Sequence, residues 1–261
     1  MQSIYALIQS KDDSLQKQEK FLKVSIENTY TLYLLWLSLF VEIQKRAEEQ
    51  ISLSAKKYIS DKKEEFPNPK KFVQNRLLLQ IVENKTLEEE ISHRKLDNWY
   101  LNEEYVKLIY KDIIESDVYN NYMSTPESDY AADKELILTL FKSIIAPNEK
   151  IYDYFEDDKL TWVDDIPIVN TFILKHLKKV NQVHPESYFL PSLLKDDEDM
   201  TYAMQLLSRT LLKNDALEKE IDGKTPNWDK DRIAGIDSIL LKMAICELLY
   251  FPSIPVRVTI N

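Results

Sequence analysis

Glycine is nearly missing from this chain: 2 of 261 residues, where ordinary usage of about 7% would supply about 18. Positive φ is therefore available almost nowhere. This counts against folds built on glycine turns, among them doubly wound nucleotide-binding sheets, phosphate loops, hairpin-rich sandwiches and propellers. Cysteine is scarcer still. Cys246 stands alone, so no internal disulfide can form and a reducing compartment is expected. Long apolar runs are missing too. The most apolar stretch, Tyr30 to Val41, has about 12 residues against the roughly 20 that a membrane helix needs, and it reads as a core helix. The first ten residues carry no charged side chain, so the basic start of a secretory signal is not expected. The chain is read as cytoplasmic, with no membrane partner.

What is present is a globular composition, 44% hydrophobic and 30% charged, with a net charge of −10. Such a balance gives no sequence-blind affinity for polyanions, so contact with nucleic acid requires a local patch or a partner. Helical spacing dominates. Met1, Ile4, Tyr5 and Ile8 open the chain on a helix. Phe21, Leu22, Ile26, Tyr30, Tyr33, Leu34, Leu37 and Val41 then recur mostly at three and four, predicting one very long helix, or two with a bend, from Ser14 to about Ser60. Pro67 and Pro69 stop it. Beyond them, Ser124 with Pro126 and Glu127 predicts a helix start running to about Ala146, Pro167 opens a helix to about Val180, Asp196 caps one through Leu212, Gly223 stops a short one, and Trp228 to Tyr250 forms the last long helix. The fold class predicted is all-α, a multi-helix bundle.

A screen for chemistry finds little. No Walker loop, GxGxxG, HExxH or GxSxG motif occurs. Glu90 and His93 spell one ExxH, half of what a carboxylate di-iron bundle requires, and read as a solvated pair. The acids at 157–158, 164–165 and 196–199 lack calcium-loop spacing and read as caps and solvated faces. Cys246 reads as a buried structural thiol. The lysines 56, 57, 62, 63, 70 and 71 read as a solvated helix end in preference to an RNA patch, and Lys175, His176, Lys178 and Lys179 as cations complementing a helix C-terminus. No catalytic, metal or cofactor site is expected.

The informative stretch is Asp231 to Asn261, DRIAGIDSILLKMAICELLYFPSIPVRVTIN. Arg232, Ile233, Ala234, Asp237, Ile239, Leu240, Ala244, Glu247, Leu248, Ile254, Pro255, Val258, Ile260 and Asn261 follow, in order, the pattern RIA-x-x-D-x-x-I-L-x-x-A-x-x-E-L and x-x-I-P-x-x-V-x-I-N. This resembles the C-terminal signature of the NusB family of transcription antitermination factors, and Gln2 to Gln9 (QSIYALIQ) is similar to that family's first helix. Glu247 lies about three turns from Ile236 and shares its face with Leu240 and Met243. A carboxylate there must find donors. The free amides of a helix beginning after Pro255 are the expected ones. Asp237 points elsewhere and is expected to be exposed.

The resemblance implies a NusB-like helical bundle carrying a large helical insertion. NusB-like N-terminal helices would occupy residues 1–65, the insertion 66–214, and the signature segment 215–261, packing with 1–65. It implies a non-catalytic factor that pairs with NusE, the small-subunit ribosomal protein, and binds boxA-type nascent RNA in the transcription elongation complex. Gln2, Tyr5 and Asp237 are the implied RNA or partner contacts, although an ordinary surface acid also explains Asp237. Arg232, Glu247, Pro255 and Asn261 are signature positions with structural roles. The family's arginine-rich start of helix one and two further C-terminal helical stretches find no counterpart here, so a fragment trimmed at both ends is expected. The length between the matching ends is similar to that of the enlarged NusB-like proteins of some bacterial lineages. Two alternatives remain open: a NusB-like protein–protein interaction module without RNA binding, and the accessory domain of an RNA methyltransferase.

Overall fold

In a computed structural model of the chain, residues 1–10, 14–57, 68–222, 224 and 235–260 are described, with backbone alone at 2, 6, 9, 10 and 55–57. The helices in order are α1 (Gln2–Ser10), α2 (Leu15–Lys57), α3 (Arg76–Val82), α4 (Lys85–His93), α5 (Asn98–Leu101), α6 (Glu103–Glu115), α7 (Asp117–Met123) and α8 (Tyr130–Leu140). After a π-helical turn, Phe141–Ile145, come α9 (Glu149–Asp158), α10 (Trp162–Lys179), a 3-10 turn at Glu186–Phe189, α11 (Asp197–Leu212), α12 (Asn214–Ile221), α13 (Gly235–Tyr250) and α14 (Val256–Ile260). No strand occurs among the described residues, and the fold is all-α.

The helices form two compact units. One comprises Met1–Glu27 with Ser192–Asn261, the other Asn28–Pro191. These divisions fall at other positions than the segment ends at 65 and 214 read from the sequence. α2 runs unbroken as one helix, with its residues 15–27 in the smaller unit and the rest in the larger.

The larger unit is built around the apolar run of α2. Leu32, Leu34, Leu35, Trp36, Leu37, Leu39 and Phe40 are all buried, as expected for a helix apolar around its circumference. Leu77, Leu87, Val106, Ile137, Phe155 and Ile173, from six other helices, complete the cluster. Trp36 meets Phe141 and Phe155 edge-on, with ring centroids 5.5 and 5.0 Å away. Trp99 Nε1–H donates to the Leu35 carbonyl at 2.9 Å, and Trp162 Nε1–H to the Asn28 carbonyl at 2.9 Å. Asp133, 1% exposed, is buried without penalty because the Tyr122 hydroxyl (2.7 Å) and the Arg76 amide (3.0 Å) donate to it.

Several expectations for this unit are corrected. Ser124 does not start a helix: its amide bonds the Asn120 carbonyl at the end of α7. The start of α8 moves to Asp129, whose carboxylate accepts the Ala132 amide at 2.7 Å. Pro167 lies inside α10, which begins at Trp162. The ring deprives the Val163 carbonyl of its usual amide donor, and the Tyr152 hydroxyl replaces it at 3.1 Å. Lys71 is buried at the end of its basic run, where its ammonium donates to the Tyr122 and Thr125 carbonyls and sits 4.2 Å from the Tyr122 ring centroid. Burial pushes its pKa down. Pro67, Lys62 and Lys63 lie outside the described residues, as does Gly223.

The shortage of glycine has a local consequence at the end of α4. The Leu96 amide bonds the Ile91 carbonyl and the Lys95 amide the Ser92 carbonyl, each at 3.0 Å, which is the paired closure normally built on glycine. Here Lys95 supplies the left-handed residue, with φ of 54°.

The smaller unit has a thinner interior. One cluster joins Ile4, Leu207 and Ile239, with Leu15, Leu22, Leu211 and Met243 half-buried around it; the other joins Leu217, Cys246 and Phe251. Asp196 caps α11 by accepting the Glu198 amide at 3.0 Å, as its position suggests. Lys242 ties α13 to α12 through Glu218 (2.6 Å) and Asn214 (2.9 Å).

Candidate functional site

The signature helix α13 is apolar on most sides but is covered on few. Ile239 and Cys246 are its buried residues, whereas Ile236, Leu240, Leu248 and Leu249 are exposed, as are Val256, Val258 and Ile260 of α14. Seven exposed large apolar side chains on two packed helices are the kind of surface that a partner covers. α1 packs on α13 and on α11, inserting Ile4 into the interior and leaving Tyr5 38% exposed.

Tyr5 reaches the start of α13. A Cβ on Gly235 would lie 3.8 Å from Tyr5 Cε2, an ordinary van der Waals contact. Asp237 follows two residues later in the first turn, exposed, where a carboxylate complements the helix dipole. The structure thus puts Tyr5 against the same helix end that carries Asp237. Gln2 lies in α1 with its side chain outside the described residues. Arg232 and Asn261 also lie outside them.

Glu247 differs from expectation in two respects. Its face is not buried, since Ile236 and Leu240 are exposed and Met243 is half-buried. Its donors are hydroxyls in place of free amides: Thr259 Oγ1 donates to Glu247 Oε1 at 3.2 Å, and the Tyr202 hydroxyl interacts with the same carboxylate. Burial first, then the hydrogen bond and charge of Glu247, push the Tyr202 pKa up to about 12. Pro255 sits in the turn before α14, where its carbonyl accepts the Val258 amide at 2.7 Å. Glu247 therefore links α13 to α14 through Thr259, twelve positions along, a pairing that helical periodicity cannot reveal. Arg209 of α11 clamps the same corner: it donates to the Tyr250 carbonyl at 2.7 Å and lies 4.9 Å from the Phe251 ring.

The other chemical candidates have structural partners. Glu90 is ion-paired with Arg94. Cys246 is buried, and burial pushes its thiol pKa up, which keeps it protonated and unreactive. Among the described residues no group of three or more acids, histidines or cysteines is placed to hold a metal ion, and no helix is long and apolar enough to cross a membrane.

With this geometry in place, comparison with known proteins gives one consistent answer. Residues 172–261 match the NusB family. This C-terminal third of the chain is NusB-like. Its relatives include the transcription antitermination protein NusB of Geotalea daltonii, 38% identical over 71 residues, which is 27% of this chain and 49% of the relative. The protein of the same name from Geotalea uraniireducens is 32% identical over the same shares, and that of Alkaliphilus oremlandii is 30% identical over 66 residues, 25% of this chain and 48% of its own length. The chain thus spans about half the length of the curated relatives it matches. No solved structure matches. The NusB match contains α11 to α14 and begins within α10.

Proposed function

We propose that this chain is a non-catalytic, cytoplasmic transcription antitermination factor that binds boxA-type nascent RNA together with NusE, the small-subunit ribosomal protein, in the elongation complex. The observation that carries this reading is the exposed surface of the NusB segment: uncovered apolar side chains on α13 and α14, beside a helix end that carries Asp237 and meets Tyr5 of α1. The apolar face suits a protein partner. A net charge of −10 argues that the preference for boxA is supplied jointly with that partner. Arg232, Glu247, Pro255 and Asn261 hold the segment's architecture, while Gln2, Tyr5 and Asp237 meet RNA or NusE.

The test is fluorescence anisotropy with boxA RNA and a scrambled control, each with and without NusE. Tighter binding of boxA than of the control, present only with NusE, is expected, and Asp237→Ala should weaken it. Equal, weak binding of both RNAs in every condition would overturn the RNA role. If NusE still binds in that case, the charge and the apolar face favour the second reading, a NusB-like protein–protein interaction module without RNA.

A further inference from the structure

The second half of α10, the loop after it and the 3-10 turn that follows hold four rings in one continuous stack. Phe172 lies on His176 (centroids 5.4 Å apart, planes at 18°), His176 on Tyr188 (4.1 Å, 14°), and Tyr188 on His184 (4.0 Å, 29°). Hydrogen bonds fix the register. His176 Nε2–H donates to the Tyr188 carbonyl and the Tyr188 hydroxyl to the His176 carbonyl, both at 2.8 Å; His184 Nδ1 accepts the Asn181 amide at 2.9 Å. Tyr33 meets Phe172 and His176 edge-on and donates its hydroxyl to the Phe189 carbonyl at 2.9 Å, anchoring the stack to the core. At the outer end Phe172 is 42% exposed, and Ile168, one turn earlier, is 66% exposed.

The charge along this segment is unlike that of the rest of the sequence. Acids make up 44 of 261 residues, about one in six, yet none occurs from Ile166 to Pro185, which holds Lys175, Lys178 and Lys179. Lys175 and Lys179 are three and seven positions from Phe172, so they share its helix face, and both are exposed. The nearest acids in sequence are engaged: Asp165 accepts from Thr29 at 3.0 Å, and Glu186 from the Thr86 amide at 3.3 Å. Lys134 adds a cation, donating to the Lys178 and Val180 carbonyls at 3.2 and 3.1 Å. Complementing a helix C-terminus explains why lysines gather here. It does not explain an exposed ring at the end of a rigid stack beside them.

We propose that this face of the larger unit is a platform for single-stranded nucleic acid of any sequence, with a base stacking on Phe172 and the neighbouring phosphates held by Lys175 and Lys179. Open ring faces beside cations are what such chains use, because every base has a π-face and every linkage a charge. An acidic protein would satisfy the lysines but has no use for the ring. The platform goes beyond the NusE-dependent reading of boxA and does not rest on it, since it involves neither α1 nor α13.

The test uses the full chain and a short fluorescent oligouridylate without boxA, compared with an abasic ribose-phosphate oligomer of the same length and with polyglutamate. Oligouridylate should bind best, with an affinity that falls as salt rises. Phe172→Leu, which keeps apolar volume but removes the ring, should weaken binding about tenfold with an unchanged thermal midpoint, and Phe172→Tyr should restore it. Lys175→Glu with Lys179→Glu, both surface changes, should abolish it. Equal binding of the abasic oligomer or of polyglutamate, an unaffected Phe172→Leu variant, or no binding by the native chain would overturn the platform. NusE-dependent preference for boxA should survive Phe172→Leu, so either reading can fail alone.

Discussion

The two units solve the problem of a helical core differently. In the larger one, α2 presents apolar side chains in all directions, and Phe141 of the π-helical turn and Phe155 of α9 close around Trp36. The smaller one, which carries most of the NusB segment, divides its interior into two small clusters and leaves much of α13 and α14 in water. Identical secondary structure therefore serves opposite ends: apolar surface spent on the interior gives stability, and apolar surface left outside gives a place for a partner.

The sharpest way to probe this contrast is a pair of truncations. Trp36→Ala removes a fully buried indole from a ring cluster and should cost about 3–5 kcal/mol, followed by denaturant unfolding. Ile239→Ala in the smaller unit should cost about 2 kcal/mol, the low end for such a change, because its thin cluster can collapse into the space. Equal losses would erase the distinction between the two interiors. Glu247→Ala removes the link to Thr259 and should lower stability by about 1 kcal/mol, read as a thermal midpoint, without changing discrimination between boxA and scrambled RNA. Lys95→Gly should raise stability by about 1 kcal/mol, because the left-handed conformation is strained for lysine and free for glycine. The smallest effect is that of pH. Burial holds the His176 pKa below its ordinary value of 6.5, so the unfolded chain binds that proton more readily. Its contribution is present above about pH 6.5 and is lost as pH falls through the lower folded value. Unfolding midpoints measured downward from neutrality should fall less in His176→Gln than in the native chain.

Much of this fold was legible in the sequence. The run Tyr30 to Val41 reads as core because nothing polar interrupts it for long, and Asp196 reads as a cap because a cap is local. Features decided by distant partners were not legible. Pro167 is tolerated inside α10 because Tyr152, fifteen residues earlier, supplies the lost donor. Lys71 is buried because Tyr122 and Thr125, fifty residues on, offer carbonyls. In the candidate site, the exposure of Asp237 followed from helical phase, whereas the pairing of Glu247 with Thr259 depends on how the Pro255 turn folds back. The ring stack was hidden for a similar reason: His176 and Tyr188 meet only once the intervening loop is closed. The run without acids from 166 to 185 was its visible trace.

The central claim is that α13 and α14, with α1, provide the partner surface and that residues 68–165 take no part in it. Amide hydrogen exchange on the full chain, alone and with NusE, tests this most directly. The account predicts added protection in residues 1–10 and 235–260, with residues 68–165 unchanged. Protection confined to residues 68–165, or no change anywhere at saturating NusE, would contradict it.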